Sequence, residues 1–313
     1  MIIGYFLWRF VSWLVSISPP RLADTIAGGS ATTAYYIWWS RRKVARENFA
    51  RVLGKHPNDP AVGRVARSSF ANFGRYLVEV MRFPKVTMDQ LEQRVVIHET
   101  DEFRRMMSRN TPIIAISAHF GNMDYASAVA TRRYRPFTLA AETIQPVQLF
   151  RYLARVRAER GVALIPYDHA PRKIIEALKR KEVVGFLIDF GVNNHKDIAT
   201  TEIMFFGAPT RFPASPAILA QRTGAAILVV HSYLDRERRI HSLIEDPIYV
   251  DKALPREEAA QATMQAVAQK MEKFIREHPD QWYVYRAMWP EPRAAGGSDL
   301  GQVPGTVGSG LEV

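Results

Sequence analysis

His119 occupies the setting that most clearly asks for chemistry. Of the eight histidines, His56, His98, His119, His169, His195, His231, His241 and His278, it alone stands between a run that reads as a buried strand and a tight turn into a helix, TPIIAISAHFGNMDYASAV. A tight Phe120-Gly121-Asn122 turn follows, and then Asp124 in the first turn of a predicted helix. In α/β sheets ligands bind beyond the carboxyl ends of the strands, where catalytic groups collect. An imidazole there can take a proton on one nitrogen while a carboxylate on the other fixes its tautomer and stabilises the imidazolium. Five residues along an ideal helix rotate by about 140°, so His119 and Asp124 would meet only through a bend at Gly121. By spacing alone, a strand-end histidine bonded to backbone, with Asp124 as a first-turn acid near the helix dipole, is an equal reading. No metal is expected, because no second His or carboxylate stands at ligand spacing.

Composition narrows the chemistry. The 313 residues include no cysteine, which excludes a thiol nucleophile, a disulfide framework and cysteine-held zinc or iron-sulfur centres. No G-x-S-x-G elbow points to a serine nucleophile. A formal net charge of +11 favours an anionic partner: nucleic acid, phosphorylated ligands or a membrane surface. Nucleic acid is not expected, for no helix-turn-helix, zinc-finger or RNA-recognition signature is present. A hydrophobic fraction of 47% suffices for a large core.

The elements that must position His119 follow from periodicity. Apolar runs of strand length lie at Ile113–Ala118, Phe137–Ala140, Val162–Pro166, Val183–Ile188 and Ala225–His231. Helical patterns occupy about 65–82, 123–132, 147–160, 171–181, 214–223 and 256–277. Continuous aliphatic strands between helices predict an α/β fold with a central, mainly parallel sheet flanked by helices.

Residues 1–40 read as a membrane-associating segment, 41–292 as the main domain and 293–313, rich in Gly and small polar residues, as a disordered tail. Met1–Ser18 is apolar on nearly every face, but it carries Arg9 and stops at Pro19-Pro20. It is short for a spanning helix, so it is expected to lie in the interface. Arg9 and the lack of a small-residue cleavage site argue against a signal peptide. Tyr35, Tyr36, Trp38 and Trp39 precede Arg41, Arg42, Lys43, Arg46 and Arg51, a pairing suited to an anionic lipid surface.

HFGNMD (119–124) resembles the H-x-x-x-x-D motif of glycerolipid acyltransferases, in the H-x-G-N-x-D variant of the bacterial lipid A late acyltransferases and the related phosphatidylinositol mannoside acyltransferases. RRKVARENFARVLG, with Asn48-Phe49, resembles the family's early basic helix, and SSFANFGRYLVEVMRFP the helix after it. FFGAPTRFPASPAILAQRTGAAILVV resembles the second block, and HPDQWYVYRAMWP the closing motif with Gln281, Trp282 and Arg286. The resemblance runs from about residue 5 to 292.

It implies transfer of a fatty acyl group from a thioester, acyl-CoA or acyl carrier protein, to a hydroxyl of a lipid or glycolipid, on the cytoplasmic face of the cell membrane and without a cofactor. His119 would be the general base and Asp124 its orienting partner, with direct attack and no acyl-enzyme. Backbone N–H groups of the Gly121 turn or of the second block would meet the oxyanion, and Gly121 and Asn122 would bind substrate. Glu202 stands where the mannoside branch has a Glu that joins the histidine relay, which leans the acceptor toward a mannoside-type or lipid A-like glycolipid; its alternative is a hairpin-edge Glu. Arg157 and, more weakly, Arg211 would meet phosphates of donor or acceptor. Asp189 matches a family Asp, but Phe190 and NNHKDIATT replace the usual continuation, leaving any acceptor contact of that loop open. The rival readings are a lysophospholipid acyltransferase, a lipid hydrolase with His119 activating water, and a nonenzymatic basic protein of the membrane surface.

Overall fold

Uninterrupted Ile/Val/Leu runs form strands that are buried on both faces, and the helices between them supply the cover. The computed structural model describes residues 2–166, 170–189 and 199–289; the expected tail lies outside them. Four helices come first: α1 (Ile2–Ile17), α2 (Pro20–Ile37), α3 (Trp39–Leu53) and α4 (Pro60–Arg82). Pro20 and Pro60 stand at helix starts, where proline's missing N–H costs nothing, and the Asp59 side chain caps α4. Then come α5 (Met88–Arg94), β1 (Val95–His98), α6 (Asp101–Ser108), β2 (Ile113–Ser117), α7 (Met123–Arg133), β3 (Phe137–Ala141), α8 (Val147–Ala158) and β4 (Val162–Pro166). The chain continues through α9 (Ala170–Lys179), β5 (Val183–Leu187), a hairpin of β6 (Thr200–Phe205) and β7 (Ala208–Pro213), α10 (Ser215–Thr223), β8 (Ala226–Leu234), β9 (Ile240–Ile244) and α11 (Arg256–Glu277).

Seven strands form one sheet in the order β1-β9-β8-β2-β5-β3-β4, parallel throughout except for the β8–β9 pair. The predicted α/β class and mainly parallel sheet are therefore correct. Side chains alternate across it. Ile114, Ile116 and Ala118 of the β2 region, with Val184, Phe186 and Ile188 of the β5 region, enter the main core beside Met264, Met271 and Phe274 of α11. The opposite rows, Ile113-Ala115-Ser117-His119 and Val183-Gly185-Leu187-Asp189, face a cavity under the N-terminal helices.

No helix among the described residues is long and apolar enough to cross a membrane. One side of α1 packs inward: Ser12 is buried, Arg9 lies 4.7 Å from the Tyr152 ring of α8, and Arg82 of α4 donates to the Val15 carbonyl at 2.7 Å. Ile3, Phe6, Leu7, Phe10, Trp13 and Ile17 remain exposed on the other.

Candidate active site

The register of the central strands builds the site. β2 and β5 run parallel with Ile113 opposite Val183 and Ser117 opposite Leu187. Two residues further on, the same register sets His119 opposite Asp189. The Asp189 carboxylate holds His119 twice: Oδ2 accepts the backbone N–H at 2.9 Å and Oδ1 lies 2.8 Å from ring Nδ1. Trp282 Nε1–H donates to Oδ2 at 2.9 Å. Asp189 is fully buried while the His119 side chain is 45% exposed to the cavity, so the dyad has one sealed and one open end.

The electrostatics agree. Burial works to lower the pKa of His119, but the charge and hydrogen bond of Asp189 outweigh it and raise the ring above its ordinary value. Burial works to raise Asp189, and His119, its backbone N–H and Trp282 together hold the carboxyl below its ordinary value. An ionised Asp189 fixes the proton on Nδ1 and leaves Nε2, which has no protein partner among the described residues, to act as a base.

No hydrogen bond joins His119 to Asp124, its expected partner. The bend at Gly121 turns α7 toward α8 and α4, where Arg157 forks onto Asp124 at 2.5 and 3.1 Å and the Tyr76 hydroxyl donates to it at 2.8 Å. Arg157, expected to meet phosphates, is thus committed to Asp124, although both line the cavity wall. Burial and the Asp124 charge push the Tyr76 hydroxyl well up.

Gly121 and Asn122 are both engaged within the protein. Gly121 has φ +57°, and a Cβ there would fall 1.6 Å from the Ser232 carbonyl oxygen, so only glycine fits. Its N–H donates to the Gln281 carbonyl at 3.0 Å and is not free for an oxyanion. Asn122 is fully buried; its side chain caps α7 by accepting from the Tyr125 N–H and donates to Glu79 at 2.5 Å. Glu79 in turn binds Arg94 and Arg238 at 2.7 and 3.0 Å. These residues shape the turn.

Glu202 and Arg211 are cross-strand neighbours on the β6–β7 hairpin, both exposed, and neither lines the cavity. The structure does not bring either one to His119; the carboxylate on the ring is that of Asp189. No metal-binding cluster of His, Asp or Glu occurs among the described residues.

The cavity encloses 1260 Å³ and its walls are predominantly aliphatic and aromatic, with Val11, Leu14, Val15 and Ile26 of α1 and α2 as its roof. Phe103, Met107 and Tyr134 lie at the far end, beside the start of β2. Arg41, Glu142 and Arg286 also line it; Arg286 pairs with Glu142 at 3.2 Å and both act on the charge of His119. A histidine opening on a long apolar slot is suited to chemistry on an aliphatic chain.

The profile of the family described as bacterial lipid A biosynthesis acyltransferase matches residues 1–290. The chain belongs to that family. It is 26% identical over 285 residues to the phosphatidylinositol mannoside acyltransferase of Mycolicibacterium smegmatis, covering 90% of this chain and 88% of the relative. To the protein of the same name from Mycobacterium tuberculosis it is 29% identical over 297 residues, with the same coverage. In this acyltransferase the HFGNMD stretch has a buried Asp189 and Trp282 behind its histidine. The signal for Asp189 was present in the sequence: two buried strands, each followed two residues later by a titratable side chain on the same face, AISAH and GFLID.

Proposed function

We propose that this acyltransferase moves a fatty acyl chain from a thioester, acyl-CoA or acyl carrier protein, to a hydroxyl of a glycolipid, with a mannoside-type acceptor favoured by the names of its relatives. The observation that carries the reading is a histidine with one nitrogen held by a buried carboxylate and the other open to an apolar cavity. The acyl chain lies in the cavity with its carbonyl at His119. Nε2 takes the acceptor hydroxyl's proton as the oxygen attacks the thioester carbonyl. The tetrahedral intermediate collapses with cleavage of the C–S bond, and the imidazolium returns the proton to the departing thiolate. The products are an ester and a free thiol.

Strand geometry gives the slot a length. His119 to Ile113 is six residues, about 20 Å at the rise of a parallel strand. A zigzag alkyl chain advances about 1.25 Å per carbon from its bond length and angle, so the slot suits about 16 carbons. Arg41 and Arg286 near the reactive end would receive donor phosphates.

The exposed apolar side of α1, with Ile37, Trp38 and Trp39 beyond it, would rest in the bilayer interface on the cytoplasmic face, presenting the roof of the cavity to lipid. Of the basic cluster, Arg41 also donates to the Tyr285 carbonyl and Arg46 to that of Pro57, while exposed Lys43 lies 3.9 Å from Glu47 on the surface.

The test is incubation of protein in vesicles with labelled acyl-CoA or acyl carrier protein and a mannolipid, read by mass spectrometry. Wild type should yield the acylated glycolipid, and His119→Ala should lose about 10² to 10⁴-fold in rate while still sedimenting with vesicles. Near-normal transfer by the variant, or release of free fatty acid in place of acylated lipid, would overturn it.

A further inference from the structure

Across a pair of stacked tyrosines from the reactive cavity lies a second, polar pocket of 770 Å³, formed by α4, the β8–β9 hairpin and the closing segment. Tyr76 and Tyr283 stack at 5.7 Å with 22° between their planes, and they line both spaces. Tyr76 joins them chemically, since its hydroxyl donates to Asp124 in the wall of the reactive cavity.

The pocket's rings are fixed by packing. Tyr233 is stacked between His241 at 5.0 Å and His278 at 4.1 Å, with ring planes within 16° of parallel. Tyr283 is flanked by Tyr76 and by Phe73 at 5.5 Å. Yet the hydroxyls of Tyr233 and Tyr283 and the ring of His278 have no protein hydrogen-bond partner among the described residues, and none is a sealed, unsatisfied group. Rigid polar edges without protein partners are groups prepared for a ligand.

Charge selects the ligand class. Arg238 is taken up by Glu79 at 3.0 Å and Asp24 at 3.2 Å, and Asp235 holds His241 and Arg239 at 2.9 and 3.1 Å. The lining sets the guanidiniums of Arg75, Arg236 and Arg238 against the carboxylates of Glu79, Asp235, Glu237 and Asp280. A phosphate would find no positive excess. A neutral polyhydroxyl ring fits: its hydroxyls meet the partner-free phenols of Tyr233 and Tyr283 and the His278 imidazole.

We propose that this pocket is a carbohydrate subsite, which holds the part of a glycolipid headgroup beyond the sugar being acylated. The assignment rests on the glycolipid reading of the acceptor given above. It divides recognition between an apolar slot for the acyl chain and a neutral polar pocket for the glycan.

Titration calorimetry with a soluble methyl mannobioside, and inorganic phosphate in parallel, tests it without turnover. Wild type should bind the disaccharide and not phosphate, and Tyr233→Phe/Tyr283→Phe, which removes two hydroxyls and leaves both rings, should weaken binding about tenfold. Should the double variant not fold, Arg236→Ala on the exposed rim takes its place, with a several-fold weakening expected. In transfer assays, the ratio of kcat/KM for a two-sugar over a one-sugar mannolipid should fall about tenfold in the double variant. Disaccharide that does not bind, binds the variants equally, or is outcompeted by phosphate would overturn the subsite, as would an unchanged ratio. Wild-type protein that binds the disaccharide but acylates neither lipid would instead sink the acyl-transfer reading and leave the pocket standing.

Discussion

Two carboxylates compete for the role beside His119, and their surroundings separate them. Asp189 stands at the end of the strand paired with His119's own and is fully sealed, with Nδ1, a backbone N–H and an indole N–H as its partners. Asp124, five residues from His119 in sequence, lies in the first turn of α7 and is bound by Arg157 and Tyr76. Closeness along the chain thus counts for less than register. A parallel ladder carries a contact across 70 residues, whereas the sharp turn at Gly121 carries Asp124 away from the imidazole. Asp189 holds the imidazole, and Asp124 with Arg157 fastens α7 to α8 in the wall of the slot.

Asp189→Asn is the strongest way to break this division. Loss of the carboxylate removes the group that fixes the tautomer and stabilises the imidazolium, so turnover should fall by about 10² to 10⁴-fold. The pH profile supplies a second signature. His119 must be unprotonated to work, and Asp189 raises its pKa, so wild-type activity should rise with pH through a midpoint above about 6.5. In Asp189→Asn the burial that lowers the pKa persists while the raising charge is gone, and the acidic limb should move to lower pH. A limb that stays in place, or moves only in Asp124→Asn, would reverse the two roles.

Asp124→Asn should act chiefly on stability. It leaves the Arg157 guanidinium in a largely buried place without its counter-charge, a loss of about 3 to 5 kcal/mol. Replacing both, as Asp124→Asn/Arg157→Met, should recover much of that, which denaturant unfolding can measure. Failure of the double variant to recover would mean that the pair is more than a mutual neutralisation.

The slot can be shortened at a chosen layer. Ala115 faces the cavity four residues below His119, about 13 Å along the strand. Opposite it stands Gly185, whose missing Cβ leaves room for the Phe137 ring. Ala115→Leu should move the preferred donor from about 16 to about 10–12 carbons in a competition among acyl-CoAs. An unchanged preference would place the chain elsewhere.

Much of the fold was legible in the sequence because it follows from periodicity. The runs at 113–118, 137–140, 162–166 and 183–188 became β2, β3, β4 and β5 within a residue or so. The short edge strand β1, only four residues with partly exposed sides, and β9, held in place by its partners, carry too little pattern to stand out. His119 was legible from its position after a buried strand. The destinations of Asp124, Arg157 and Asn122 were not, because they depend on which helices lie over α7, and that is settled by tertiary packing among segments tens of residues apart.

The smallest expected effect bears on the hairpin. Glu202 and Arg211 stand opposite each other on exposed strand positions away from the cavity, with no ion pair between them. Glu202→Gln should therefore change kcat and KM by less than about twofold and keep the acidic limb of the pH profile where wild type has it. The fully buried Asp189 already occupies Nδ1, so a second carboxylate in the relay would have to approach from the Nε2 side, where it would compete with the acceptor hydroxyl. A tenfold loss in Glu202→Gln, with a shifted limb, would show that the hairpin closes over the cavity during turnover and that Asp189 does not act alone.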